Sequence, residues 1–206
     1  MPLFYAHNIN DNARLAIWLI KEDESFFRSD IRIENNISHP HKRLQHYAGR
    51  FLLKILEPAF PVNEIRIDGK RPYLPGNSFH FSISHCGDYA AAIVNKDQQA
   101  GIDVESASEK ISLLKEKFLS DREQHLLTKT GQRELNQLTL GWSAKEALFK
   151  WYQKGLVNFK SDMQLHNINA QKEKGTIDAF FGKEIEKKIN VQYKFFDDLC
   201  LAWCMG

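Results

Sequence analysis

Between residues 40 and 57 the apolar positions are Leu44, Tyr47, Ala48, Phe51, Leu52, Ile55 and Leu56. They recur at i, i+3, i+4, i+7 and i+8, the stripe of an amphipathic helix, and Pro58 ends it. Residues 79–84 then alternate apolar and polar, which predicts a half-buried strand. Cys86-Gly87-Asp88 reads as a turn, 89–94 as a second strand, Asn95-Lys96-Asp97 as another turn and 100–105 as a third strand. Together they predict an antiparallel meander. The middle of the chain is helical. Ser120 with Glu123 has the capping-box spacing, Gly131 stops that helix, and a longer one is expected over 133–154 with Leu135, Leu138, Trp142 and Phe149 on one side. Alternation returns at Ile189, Val191, Tyr193 and Phe195. After an Asp197-Asp198 turn it resumes at Leu199, Leu201 and Trp203. Each half reads as helix plus antiparallel strands. The expectation is an α+β fold of two similar packed lobes, each an antiparallel sheet with helices, residues 1–100 and 101–206.

Composition narrows the class. Of 206 residues 43% are hydrophobic and 26% charged, too apolar for a disordered chain. A net charge of +2 gives no global signature of a nucleic-acid binder. No window approaches the roughly 18 apolar residues of a membrane span, and the first residues lack a signal-peptide layout. Cys86, Cys200 and Cys204 are odd in number and lack metal-type spacing. On one strand Cys200 and Cys204 would lie roughly 13 Å apart, too far for a disulfide. The expectation is a cytoplasmic protein with neither a membrane nor a nucleic acid as partner.

Three clusters carry candidate chemistry. Residues 39–85 hold Lys42, Arg43, Arg50, Lys54, Arg66, Lys70 and Arg71 with five of the eight histidines, opposed only by Glu57, Glu64 and Asp68. Such a lobe suits an anionic ligand, or else a solvated helix face. His85 ends a strand beside a Gly-containing turn, where backbone N–H groups and a side chain can converge on phosphate. The second cluster is Gly101-Ile102-Asp103-Val104-Glu105, which puts two carboxylates on one strand face. Hard oxygen donors so placed suit Mg²⁺ on a substrate's phosphates, or else form an exposed polar strand end. The third is Trp142-Ser143-Ala144-Lys145-Glu146-Ala147-Leu148-Phe149-Lys150, where Glu146 and Lys150 are i, i+4 neighbours amid aromatic residues. Carboxylates for a cation beside a positive lobe point to phosphoryl-type transfer or hydrolysis. No P-loop and no Gly-x-Ser-x-Gly elbow is present.

Four stretches in order resemble one family: Gly69-Lys70-Arg71-Pro72-Tyr73, Phe81 through Asp88, Gly101 through Glu105 and Trp142 through Lys150. They are similar to the 4′-phosphopantetheinyl transferases, and nearer to the larger single-chain, two-lobed branch than to the short trimeric synthases. The resemblance implies a reaction of coenzyme A with a serine of an apo acyl- or peptidyl-carrier protein, releasing 3′,5′-ADP. It implies Mg²⁺ held by Asp103, Glu105 and Glu146, with Lys150 neutralising the pyrophosphate and Lys145 nearby. Glu123 matches a carboxylate with a supporting catalytic role, and the base would be Glu146 or a metal-bound water. His85, with Ser84 beside it, and a first-lobe basic residue, taken as Arg43, would hold the 3′-phosphate. Arg71-Pro72 would flank the nucleotide, with Lys70 the alternative to Arg71. A monomer is expected. The competing readings are a metal-dependent phosphohydrolase acting on coenzyme A or a related nucleotide, and a non-catalytic carrier-binding module.

Overall fold

The first hundred residues build one antiparallel sheet from two hairpins. The computed structural model describes residues 2–33, 37–69, 71–76 and 78–206. Strands β1 (Leu3–Asn8) and β2 (Ala13–Leu19) form one hairpin, and β5 (His80–Cys86) and β6 (Tyr89–Asn95) the other. The sheet order is β1-β2-β6-β5, with every pair antiparallel. A short hairpin, β3 (Arg66–Asp68) with β4 (Arg71–Tyr73), stands apart as its own sheet. Helix α1 (Glu24–Arg28) is capped by Asp23, whose side chain accepts from Ser25 N and Phe26 N. Helix α2 (Pro40–Leu56) starts with proline in its first turn, where no N–H is needed, and the His39 side chain caps Lys42 N. Its apolar face, with Tyr47, Ala48, Leu52, Leu53 and Leu56, packs into a core that includes Trp18, Phe27, Phe81 and Val94.

The second half carries three helices and a five-stranded sheet. Helices α3 (Glu109–Phe118), α4 (Asp121–Thr128) and α5 (Glu134–Tyr152) follow β7 (Ala100–Ser106). Then come β8 (Met163–Gln171), β9 (Lys174–Gly182), β10 (Glu186–Phe196) and β11 (Leu199–Met205). The order is β7-β11-β10-β9-β8. The capping box forms as expected: Glu123 N donates to Ser120 Oγ, and Ser120 N donates to the Glu123 carboxylate. Helix α5 is buried around much of its circumference, so it joins a core with Phe118, Leu127, Phe181, Val191 and Tyr193. It ends at Gln153, whose φ of 64° is left-handed and whose N–H returns to Phe149 O. The chain divides into two compact units, Met1–Ala100 and Gly101–Gly206.

The α+β class with antiparallel sheets is as the pattern predicts. One strand is not where the meander put it. Strand β7 leaves the β5–β6 hairpin and lies beside β11 in the second sheet. Alternation identifies a strand but not its partner, and this partner lies at the far end of the chain. Cys200 and Cys204 do share β11, and none of the three cysteines forms a disulfide.

Strand β7 seats α5 through a glycine. A Cβ at Gly101 would stand 1.9 Å from Ala147 O and 2.7 Å from Trp151 N, both helix backbone atoms. Backbone cannot rotate away as a side chain can, so any larger residue must push the whole helix off the strand. Gly101→Ala is expected to destabilise the protein by about 1–3 kcal/mol, as overpacking in a dense core does. Urea unfolding measures it, and a loss below about 0.5 kcal/mol would show that α5 is not held there.

Candidate functional site

In the first unit α2 and β5 bring a basic cluster together. A Cβ on Gly49 would lie 2.5 Å from Ile83 Cγ2, so the helix rides close on the strand face that also carries His85. The rings of His46 and His85 are 5.5 Å apart. Arg50 Nη1 lies 3.4 Å from His46 Nδ1, and the Arg50 residue is only 6% exposed. Gly87 O accepts from Gln45 Nε2 at 2.7 Å, tying the turn after His85 to the helix. Burial, then the charges of Arg50, His85 and Lys42, push His46 down to about 4. Every charge acting on it is basic. His46 is therefore neutral at pH 7, and the cluster's field suits an anion.

The first-lobe guanidinium in this cluster is Arg50 rather than Arg43. Arg43 Nε lies 2.5 Å from Glu24 Oε1, and its Nη1 donates to Ile37 O at 2.8 Å, tethering α1 to α2. Ser84 is 6% exposed and, as His85's neighbour on a strand, its side chain projects to the opposite face. Arg71 and Pro72 lie on β4, with Arg71 Nη2 3.5 Å from Asp68 Oδ2 and its guanidinium 5.9 Å from the Tyr73 ring centroid. Lys70 lies outside the described residues. Sequence reasoning named Arg50 as basic but missed its place. Arg50 lies off the apolar stripe of α2, so the pattern carries no sign of its burial beyond its place four residues after His46.

In the second unit Asp103 and Glu105 share one face of β7, and Glu146 and Lys150 come from α5. Lys150 Nζ donates to Asp103 Oδ1 at 2.7 Å, so the pair forms between strand and helix rather than along the helix with Glu146. Asp103 is 5% exposed. Burial, with the charges of Asp103 and Glu105, pushes Glu146 up to about 7, and Lys150 opposes the shift. Three carboxylates thus act on one another. Among the described residues no group of three or more His, Cys, Asp or Glu is gathered to hold a metal ion. The donor chemistry nevertheless fits a hard divalent cation: all donors are carboxylate oxygens, and their mutual repulsion is what a cation relieves.

Glu123 and Lys145 are placed otherwise than the sequence suggested. Lys145 has no exposed surface; its Nζ donates to Phe118 O at 2.6 Å and Phe159 O at 2.9 Å and lies 2.7 Å from Glu123 Oε1. Glu123, 2% exposed, also accepts from Leu165 N at 2.9 Å, Ser120 N at 2.8 Å and Ser120 Oγ at 2.9 Å. Burial pulls the Lys145 amine below the ordinary lysine range, and Glu123 pushes it back. Both side chains are enclosed, with their polar atoms engaged by protein, so neither faces a ligand. The motif spelling cannot reveal this. Lys145 shares its helix face with Trp142 and Phe149, and that aromatic spacing was the only sign of burial.

A sequence model of the 4′-phosphopantetheinyl transferase superfamily matches residues 99–204, just over half of the chain. The chain belongs to that superfamily. The match spans β7 with both of its carboxylates, α5 and the whole five-stranded sheet. Among curated proteins, the 4′-phosphopantetheinyl transferase psf-1 of Bacillus pumilus is 38% identical over 80 residues. That stretch covers 38% of this chain and 34% of that protein's length.

The raised Glu146 carboxyl has a measurable consequence. Its folded value of about 7 lies above the ordinary 4.5, so the metal-free folded chain keeps a proton that the unfolded chain releases. Stability from this group is fully present below about 4.5 and declines until about 7. Glu146→Gln is expected to flatten that decline, measured by urea unfolding of metal-free protein between pH 4.5 and 8. An unchanged slope in the variant would reject the assignment.

Proposed function

We propose that the chain transfers 4′-phosphopantetheine from coenzyme A to a serine of an apo acyl- or peptidyl-carrier protein, releasing 3′,5′-ADP. The observation that carries the reading is Glu146, pushed up to about 7 beside Asp103 and Glu105, with Lys150 bonded to Asp103. Crowded acidic groups beside a lysine are what a phosphate-rich ligand and its cation would relieve. The serine hydroxyl attacks the phosphorus nearer the pantetheine and gives its proton to a base at the site, Glu146 or a water, while the bond to the nucleotide's phosphate breaks and its electron pair leaves on 3′,5′-ADP. Lys150 offers positive charge to the pyrophosphate as negative charge builds on the departing bisphosphate. Asp103, Glu105 and Glu146 would hold Mg²⁺, which when bound supplies charge neutralisation on the pyrophosphate oxygens.

The basic cluster of the first unit takes the nucleotide end in this reading. His85, with His46 and Arg50, binds the 3′-phosphate, and Arg71-Pro72 flanks the base. A monomer acting in the cytoplasm goes with the proposal. No helix among the described residues is long and apolar enough to cross a membrane.

The direct test incubates the protein with coenzyme A, Mg²⁺ and several apo-carrier proteins and reads intact mass. A carrier gaining phosphopantetheine is the expected result. Release of 3′,5′-ADP with no carrier modified would mean hydrolysis instead. Asp103→Ala should cut turnover by orders of magnitude, and near-normal activity at saturating Mg²⁺ would sink the metal assignment. His85→Ala separates binding from architecture. A charge-assisted hydrogen bond to the 3′-phosphate is worth roughly 1.5–3 kcal/mol, about 10- to 150-fold in affinity. The variant should raise KM for coenzyme A by that factor and leave dephospho-coenzyme A kinetics nearly unchanged. Equal losses with both substrates would make His85 a residue that merely orders its turn.

A further inference from the structure

The Lys145 amine and the Glu123 carboxylate it meets together gather four segments of the second unit at one point. Phe118 O is the end of α3, Glu123 opens α4, Leu165 N belongs to β8, and Phe159 O lies in the stretch between α5 and β8. Phe159 is brought there by aromatic contacts along α5. Its ring stacks on Trp142 at 5.6 Å and tilts against Phe149 at 5.7 Å, and Phe118 meets Trp142 edge-on at 5.2 Å. Residues 142, 145 and 149 fall on one helix face, so the amine and both rings engage the same collar. Glu146 and Lys150 occupy a neighbouring face, towards Asp103. The helix is also pressed onto Gly101 at Ala147 and Trp151. Contact with β7 bears on how near α5 lies, and the polar grip at Lys145, off that line, bears on its rotation about its own axis.

We infer that Lys145 and Glu123 are positioning residues, whose buried pair sets the rotation of α5 and so aims Glu146 at Asp103 and Glu105. A side chain reaching about 6 Å from a helix axis moves about 1 Å for each ~10° of rotation. A 1 Å misplacement at a reacting centre costs about 100-fold in rate. The pair therefore controls catalysis without touching substrate, and Lys145 governs the residue that follows it in the chain. This inference rests on the role proposed above for Glu146.

The test is the double variant Lys145→Met with Glu123→Gln, which removes both charges together and leaves no lone buried charge. With the wild-type circular dichroism spectrum retained, kcat is expected to fall about 100-fold while KM for coenzyme A stays within about twofold. Half-saturating Mg²⁺ should rise about tenfold, as when an outer partner of a metal ligand is lost. Amide exchange should quicken at residues 118–120, 143–150 and 158–161 and stay unchanged in α2 and β5. A folded double variant with kcat and Mg²⁺ midpoint near wild type would overturn the inference. So would a loss confined to KM for coenzyme A, which would make Lys145 a substrate contact. A lower kcat at an unchanged Mg²⁺ midpoint would overturn it too, since it reports less folded protein rather than a misplaced carboxylate. Should the double variant not fold, Glu123→Gln alone keeps both carbonyl bonds of Lys145. It is read the same way, with about a tenfold effect expected on kcat and on the Mg²⁺ midpoint. If the wild type shows no transfer at all, the functional reading fails by itself. Exchange then decides the positioning, and unchanged exchange at 143–150 rejects it.

Discussion

Helix α5 can lie on β7 only because residue 101 has no side chain, and the second unit is organised around that contact. The approach is backbone to backbone at Ala147 and Trp151, so no rotamer change could substitute for the glycine. It sets the separation between the strand that carries Asp103 and Glu105 and the helix that carries Glu146 and Lys150. At that separation Lys150 reaches Asp103 at 2.7 Å, and burial together with the two strand carboxylates raises Glu146. On another face the Lys145 amine is enclosed by two carbonyls and Glu123. The helix is thus gripped by packing on one side and by polar bonds on another.

The first unit reaches a similar result with opposite charge. Gly49 lets α2 ride against Ile83 on β5, and this places His46 and Arg50 beside His85. In each unit a glycine at a helix–strand crossing allows side chains of both elements to meet, and the residues that meet are ionisable. The basic set lies before residue 100 and the acidic set after it. Both sets are local clusters within halves of nearly balanced charge, which is why a net charge of +2 shows neither.

What could be read from the sequence was local. The capping box at Ser120 and Glu123 forms as its spacing predicts, because both partners lie within one turn. Helix α2 begins and ends where Pro40 and Pro58 require. The partner of β7 was not legible, since pairing with β11 depends on side chains nearly a hundred positions away. Strand β2, Ala13–Leu19, has five buried residues in seven, and such a run lacks the alternation that marks a half-exposed strand. The site divided in the same way. Asp103 and Glu105 could be paired from strand periodicity, but Arg43 and Arg50 sit on one helix, and only the fold shows which of them meets a histidine. Lys145 misled because its motif places it beside Glu146, and sequence adjacency on a helix means about 100° of separation in direction.

Two lysine–carboxylate pairs on α5 show how stability and chemistry are separated along five residues. Around Lys145 each neighbouring acceptor is a carbonyl or a carboxylate that also takes backbone N–H bonds, and the site is closed to solvent. A buried pair satisfied to this degree adds rigidity, and removing one partner typically costs about 3–5 kcal/mol. Lys150, by contrast, keeps 25% of its side chain exposed and shares its surroundings with three carboxylates rather than one. Burial first, and then the neighbouring carboxylates, disfavour ionised Glu146, and this destabilises the metal-free folded chain above about pH 4.5. A protein under selection for stability alone would replace one of these carboxylates. Three carboxylates beside a lysine, where α5 meets β7 at Gly101, are a charge cluster of the kind that marks a functional site rather than a stabilising one.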